Sequence, residues 1–236
     1  MEVSRVLAQN NAKHGTVVTA DFQEAGRGRI RDRRWEMEKG SALVFTIFLR
    51  FAVIPAALGL RTGLAVALAI EDFAPALANK ALIKWPNDIL LPSPGDQTTV
   101  LKVSGILAEG EGDNVHIGIG VNVSQKQLPA SLRGRATSVS MASGEDYNGG
   151  DRYKLLEKIL SRLHYEIGAD HWRERAEARL YKKGGQVCFV KGGVDSGDMV
   201  TGALTGIGVE GELLIVPSGG TETLAFTAGE IYSIKI

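Results

Sequence analysis

Residues 41–50 read "SALVFTIFLR", and between Ala42 and Leu49 only Thr46 interrupts the apolar run. A strand with one wet face alternates apolar and polar side chains with period two. This stretch does not alternate, so it predicts a strand buried on both faces. Any fold containing it must cover a sheet twice.

The neighbouring segments supply that cover. Residues 3–9, "VSRVLAQ", predict a short helix with Val3, Val6 and Leu7 on one face, and "GTVVTADFQ" predicts a β-branched strand. Pro55 introduces an alanine- and leucine-rich helix that Pro75 ends or kinks. "ALIKWPNDILL" predicts a strand, a tight corner at Pro86, Asn87 and Asp88, and a second strand. "VLKVSGILAEGEGDNVHIGIGVNVS" predicts two strands joined by a Gly/Asp/Asn turn. After a loop-rich stretch at 125–150, Asp151 is placed to cap a helix whose stripe is Leu155, Leu156, Ile159, Leu160 and Leu163. From the composition break at 182–185 to Ile236 the pattern is short strands and glycine turns, which predicts an appended β-barrel. The expected division is therefore 1–182 and 183–236.

Net charge over the 236 residues is zero, with 27 basic and 27 acidic side chains, so no global field draws the chain to nucleic acid or an acidic membrane. The single cysteine, Cys188, allows no internal disulfide and reads as a buried strand residue in a reducing compartment. The start of the sequence is polar and amphipathic, unlike a signal core, and the most apolar region is broken by Arg50, Arg61, Glu71 and Asp72. A cytoplasmic protein is expected.

Several familiar sites are missing. The sequence holds no G-x-x-x-x-G-K-[ST] loop, no strand-linked G-x-G-x-x-G and no G-x-S-x-G elbow. His14, His116, His164 and His171 are scattered without metal-ligand spacing, and His116 and His164 read as structural.

Positive charge instead concentrates in "GRGRIRDRRW", residues 26–35, which holds five arginines between Arg27 and Arg34. Such a loop can be solvated surface, a nucleic-acid arm or a glove for phosphate. Gly26 and Gly28 let backbone N–H groups approach an anion, and arginine forks grip phosphate or carboxylate with paired donors. Three further segments sit at strand ends or corners. "KWPND" brings Lys84, Trp85, Asn87 and Asp88; "KVSGILAE" brings Lys102 with Gly105 on the face reached by alternation; "GIGVN" brings Asn122 past two close-approach glycines.

In this order, residues 23–29 "QEAGRGR", 84–88 "KWPND", 102–109 "KVSGILAE" and 118–122 "GIGVN" resemble the biotin protein ligases, and "ATSVS" at 136–140 and "AGEI" at 228–231 also match. The resemblance covers almost the whole chain. It implies an α/β (α+β) fold, a mixed-sheet catalytic domain followed by an SH3-like β-barrel. It also implies a two-step reaction: the biotin carboxylate attacks the α-phosphate of ATP, and a lysine of a carrier protein then takes biotin from biotinyl-5′-AMP.

On that resemblance Lys102, Arg27, Arg29 and Asp88 are the catalytic candidates. Lys102 bridges carboxylate and phosphoryl oxygen, and Asp88 accepts the proton of the incoming lysine. Gln23, Gly26, Arg27, Gly28, Arg29, Lys102 and Gly105 hold biotin. Arg29, Trp35, Lys84, Asn87 and Asn122 hold the nucleotide, with Trp35 over the adenine. No protein ligand set for a metal is expected; Mg2+ comes with ATP near Asn87 and Asp88. The arginine loop becomes a lid that keeps water from the acyl phosphate. The implied partner is the biotin carboxyl carrier domain of acetyl-CoA carboxylase or a similar carboxylase, with neither nucleic acid nor membrane, and a homodimer is compatible.

Two departures stand out. The family's Ser-Thr pair before the first helix, which binds the ureido oxygen of biotin, has no counterpart in residues 1–4, where Ser4 falls inside the helix. The loop carries Ile30 and Asp32 where glycine and basic residues are commoner. The helix-turn-helix domain of biotin-sensing repressors is also not seen. Two alternatives follow: a lipoate or octanoate ligase or transferase of the same superfamily, and a biotin-binding paralogue without turnover.

Overall fold

The computed structural model describes residues 1–26, 28, 35, 37–192 and 198–232. Its centre is the unbroken apolar strand, β2 (Ala42–Arg50), in which every residue but the last is buried. It lies inside a six-stranded sheet of order β1-β2-β6-β5-β4-β3, formed with β1 (Thr16–Ala20), β3 (Leu82–Lys84), β4 (Asp88–Ser93), β5 (Asp96–Glu111) and β6 (Asn114–Asn122). The ladders of this sheet are antiparallel; parallel pairing is confined to isolated bridges at Ile83–Leu180 and Lys102–Ala136.

The two faces of the sheet have separate tasks. Leu43, Phe45, Ile47 and Leu49, with Val115, Ile117, Ile119 and Val121, join the core under α2 (Leu58–Phe73) and α4 (Asp151–Gly168). Fully burying such a side chain is worth about 1.5–3 kcal/mol. The opposite face carries Val44, Thr46 and Phe48 beneath α1 (Glu2–Gln9).

The sequence pattern of α1 is inverted in the fold. Val3 and Val6 are more than half exposed, and the helix seats Ser4 and Ala8 instead. Ser4 Oγ lies 2.8 Å from Nδ1 of His116 on β6, and Arg5 pairs with Glu109 on β5. A specific polar contact with a buried imidazole thus outweighs the generic pull of an apolar stripe. Farther along, α4 buries Leu155, Ile159 and Leu163 as its periodicity requires. Asp151 is its first residue, after Gly150, rather than its cap; the carboxylate accepts from Asn148 N (3.0 Å) and Lys154 Nζ (2.8 Å).

Beyond α3 (Val139–Ser143) and α5 (Trp172–Glu177), a second antiparallel sheet has the order β10-β9-β8-β7-β11. Its strands are β7 (Gln186–Lys191), β8 (Met199–Ile207), β9 (Leu213–Pro217), β10 (Leu224–Phe226) and β11 (Gly229–Tyr232). The expected barrel is not closed: among the described residues the sheet ends at β10 and β11 with no ladder joining them. Cys188 on β7 is half-buried rather than buried.

The connection between the sheets is pinned to both. Ile83 N donates to Arg179 O (2.8 Å) and Tyr181 N to Ile83 O (2.9 Å), so residues 179–181 run along β3. Arg179 pairs with Glu71 at 2.8 Å, and Glu177 accepts from Ile207 N at 2.9 Å. Among the described residues no helix is long and apolar enough to cross a membrane.

Candidate functional site

On the outer face of the first sheet one line of paired residues crosses five strands: Ala20, Val44, Gly120, Gly105 and Asp88. Two adjacent glycines in that line leave a trough. The Trp35 indole lies in it: a side-chain carbon on Gly120 would stand 2.9 Å from Trp35 Cε2 and Cζ2, and one on Gly105 would stand 3.6 Å from Cζ3. Real carbon contacts sit at about 3.5–4.0 Å, so position 120 is closed to any larger residue while the ring is there. Trp35 is held from behind by its amide, which donates to Gly26 O at 3.0 Å. Its own ring N–H is buried without an acceptor among the described residues.

Lys102 reaches the same trough by a route that strict alternation does not allow. Residues 102 and 105 are three apart and would face opposite sides of a regular strand. The pairing of β4 with β5 slips between Ile89 and Leu90, so that Ser104 faces Ile89 but Lys102 faces Leu90. This β-bulge at Val103 turns Lys102 to the side of Gly105, where a carbon on Gly105 would stand 3.1 Å from Lys102 Nζ. The expectation from alternation is corrected: the shared face is the product of the extra residue. The lysine backbone is fixed from the other side, its N–H donating to Arg135 O at 3.0 Å and its carbonyl accepting from Thr137 N at 2.9 Å. Its ammonium lies 2.7 Å from Asp88 Oδ1, an oxygen closed off from water.

Around these groups opens a cavity of about 420 Å³, within the ~300–1,000 Å³ usual for small-molecule sites. Gln23, Gly26, Gly28, Trp35, Asn87, Lys102 and Gly105 line it. Unanticipated lining comes from Met1, Glu2 and Val3 at the start of α1 and from Val18, Val44, Thr46 and Leu107. The signal that could have found part of the last group is Thr46, the one polar residue in the apolar run of β2: Val18, Thr46, Gly118 and Leu107 form the next line across the sheet.

Other expected residues lie elsewhere. Arg27 and Arg29, with Arg31, Arg33 and Arg34, fall outside the described residues. Asn87 lines the cavity, but its amide donates to Ile106 O at 3.0 Å and so secures the corner. Asn122 is buried off the cavity, donating to Thr137 O (3.0 Å) and accepting from Gln125 (3.2 Å). Lys84 also stands off the cavity, 4.0 Å from Glu230 Oε1 of the second sheet. Trp85, beside it, donates from its ring to Gly211 O at 2.9 Å and packs against Phe189. The second sheet thereby grips the corner that presents Asp88.

Below the cavity His116 is 1% exposed, stacked on Phe48. Burial holds its pKa below the ordinary histidine value, and the Arg5 cation adds to the effect. It is a neutral structural residue at physiological pH. Among the described residues no group of three or more His, Cys, Asp or Glu side chains gathers as a metal site.

The sequence profile of the Biotin/lipoate A/B protein ligase family matches residues 3–124. The bifunctional ligase/repressor BirA of Bacillus subtilis is 37% identical over 161 residues, covering 65% of this chain and 46% of that protein. The biotin--[acetyl-CoA-carboxylase] ligase of Paracoccus denitrificans is 34% identical over 152 residues, 60% of this chain and 58% of that one. The matched stretch therefore spans about half the length of these curated relatives. Among solved structures, the biotin protein ligase from Aquifex aeolicus in complex with biotin and ATP superposes with a TM-score of 0.77 at 28% identity, over 97% of this chain and 93% of that one. The biotin protein ligase of Leishmania major shares the fold, at TM-score 0.63 and 21% identity. By half its length in sequence and nearly all of it in fold, this chain belongs to the Biotin/lipoate A/B protein ligase family.

Proposed function

We propose that the chain is an ATP-dependent biotin–protein ligase that makes biotinyl-5′-AMP and passes biotin to a lysine of a carboxyl carrier domain. The observation that carries this reading is the Lys102 ammonium, turned by a bulge into a glycine-floored cavity and held 2.7 Å from Asp88. Both reacting groups of the first step are anions, so a fixed cation between them lowers the barrier more than any other single device. A lysine ammonium serves as a compact point charge that can follow an oxygen as the geometry changes.

In this reading the vitamin's rings and aliphatic tail lie against Val18, Val44 and Leu107, with Gln23 bonded to a ring heteroatom and the carboxylate at Lys102. A carboxylate oxygen then bonds to the α-phosphorus and the bond to the pyrophosphate oxygen breaks. In the second step the carrier amine bonds to the acyl carbon, AMP leaves with the bridging oxygen, and Asp88 receives the amine proton. Arg27 and Arg29 supply further positive charge, and Trp35 with Gly26 and Gly28 shields the acyl phosphate from water. Mg2+ bound to the triphosphate would neutralise charge on the leaving group. Asn87 and Asp88 are the neighbouring oxygen donors on the protein, a sparse set in keeping with a metal held mainly by phosphate. Lys84 and Asn122, which stand off the cavity, act through the frame of the site in this reading. The division at 182/183 separates the catalytic unit from the sheet that braces it, and the setting is the cytoplasm.

Purified protein, ATP, Mg2+, biotin and an apo carrier domain test the reading. Biotin transfer is expected, is lost in Lys102→Ala and persists in Lys158→Ala on the exposed side of α4. Transfer of lipoate in place of biotin would move the chain to the lipoate ligases. Binding without transfer would make it a paralogue without turnover.

A further inference from the structure

The cavity residues Gln23, Gly26, Gly28 and Trp35 all come from the segment that leaves β1 at Asp21 and returns to β2 at Gly40. Gly40 N donates to Asp21 O at 2.9 Å, past the last rung between β1 and β2 at Ala20 and Val44, and so closes the stem. A residue from far along the chain braces that closure. Arg152, in the first turn of α4, is 8% exposed and pairs through Nη2 with Asp21 Oδ1. The same nitrogen donates to Tyr153 Oη at 3.0 Å, and the guanidinium lies over the Tyr153 ring at 4.8 Å.

The other arm of the guanidinium serves the returning strand. A side-chain carbon on Gly40 would stand 3.3 Å from Arg152 Nη1, and Gly40 adopts φ +75°, a conformation that glycine takes without strain. Gly149, just before α4, comes as close: a side-chain carbon there would stand 3.0 Å from Gly40 O. The beginning of α4 is thus fitted to the stem by glycine on both sides. Arg152 Nη1 is buried with no acceptor among the described residues. A buried, unanswered donor costs stability, so this arm of the guanidinium contributes contact with Gly40 rather than a hydrogen bond among the described residues.

We propose that Arg152 is a positioning residue for the adenylation step: by holding Asp21 and abutting Gly40, it fixes the stem from which Gln23 and Trp35 reach the cavity. The inference rests on the ligase reading for its catalytic consequence and on the fold alone for its geometry, so two readouts separate them. The first is biotin-dependent pyrophosphate release, with kcat and KM for biotin, in wild type, Arg152→Ala, Arg152→Lys, Asp21→Asn and the double variant Asp21→Asn/Arg152→Ala. In Arg152→Ala the KM for biotin is expected to rise at least tenfold, carrying most of the change in kcat/KM, with Tm within about 3 °C of wild type. Arg152→Lys, which keeps the charge opposite Asp21, should recover to within a few-fold. The double variant should be no worse than Arg152→Ala, as for two groups acting through one contact.

The second readout needs no turnover. In protein labelled with 5-fluorotryptophan, the ¹⁹F resonance of Trp35, assigned by Trp35→Phe, should shift in Arg152→Ala and in Asp21→Asn but not in Lys158→Ala. An unmoved Trp35 resonance overturns the proposal. So does a wild-type KM in Arg152→Ala, or a loss of activity that follows a fall in Tm with additive effects in the double variant. Absence of pyrophosphate release in wild type would overturn the ligase reading instead, while the Trp35 resonance still decides the geometry.

Discussion

Replacing Gly120 by alanine tests the glycine trough directly. The added carbon would stand 2.9 Å from two atoms of the Trp35 ring and 3.2 Å from Cδ2. Carbon atoms in contact settle at about 3.5–4.0 Å, so the indole must retreat by roughly 0.6–1.1 Å along most of its length. The ring is rigid, and the strand beneath it pairs on both sides with β2 and β5. Overpacking of this kind costs about 1–3 kcal/mol, which for a chain of this size lowers Tm by roughly 2–12 °C. The same methyl raises the cavity floor, and 1–3 kcal/mol of lost fit weakens biotin binding by about 5- to 150-fold. Gly118→Ala is the control. Its carbon meets the flexible end of Met1 at 3.2 and 3.4 Å and Leu107 O at an ordinary 3.7 Å, and should leave Tm within about 2 °C and the Trp35 resonance unmoved. Calorimetry with biotin, thermal melts and the ¹⁹F spectrum of Trp35 read the outcome. A Gly120→Ala protein with the melting point, Trp35 resonance and affinity of wild type would refute the account of the trough.

Three further outcomes are expected. Lys102→Ala should slow biotin-dependent pyrophosphate release by about 10²–10³-fold, and Lys102→Arg should not restore it, because a planar fork cannot replace a point charge in that space. Trp85→Phe removes the bond to Gly211 O while keeping most of the ring; a loss of about 0.5–1.5 kcal/mol, that of one hydrogen bond to a half-buried carbonyl, should appear in denaturant unfolding. His116 governs a pH effect. Its pKa in the folded chain lies below the unfolded value of about 6.5, so below that pH the unfolded chain binds a proton that the folded one resists. Stability is therefore full above pH ~6.5 and is lost as pH falls through and below it. Thermal melts at pH 7.5 and 5.5 should differ more in wild type than in His116→Gln.

Much of this architecture was legible from local pattern. The apolar run of β2 announces a strand covered twice, and the turn between β5 and β6 falls where Gly112, at φ +60°, supplies it. The KWPND corner lies between β3 and β4 as read. What escaped the sequence is long-range. The face of α1 depends on a histidine 112 residues away, the orientation of Lys102 depends on a bulge set by pairing with β4, and Arg152 meets Asp21 across 131 residues. Neither period nor composition encodes such meetings. The open second sheet is a milder case: short strands and glycine turns are shared by barrels and open sheets, and only the pairing of the end strands tells them apart.

The strip of chain at 179–181 has a consequence beyond bracing. β3 is the outermost strand of the first sheet, and the main-chain groups of Ile83 are answered by Arg179 and Tyr181. A version ending before that strip would bare a rim of unanswered amides and carbonyls beside apolar side chains, the kind of rim on which chains recruit one another. Solubility of the part built on the first sheet should thus hinge on a few residues that lie away from the cavity.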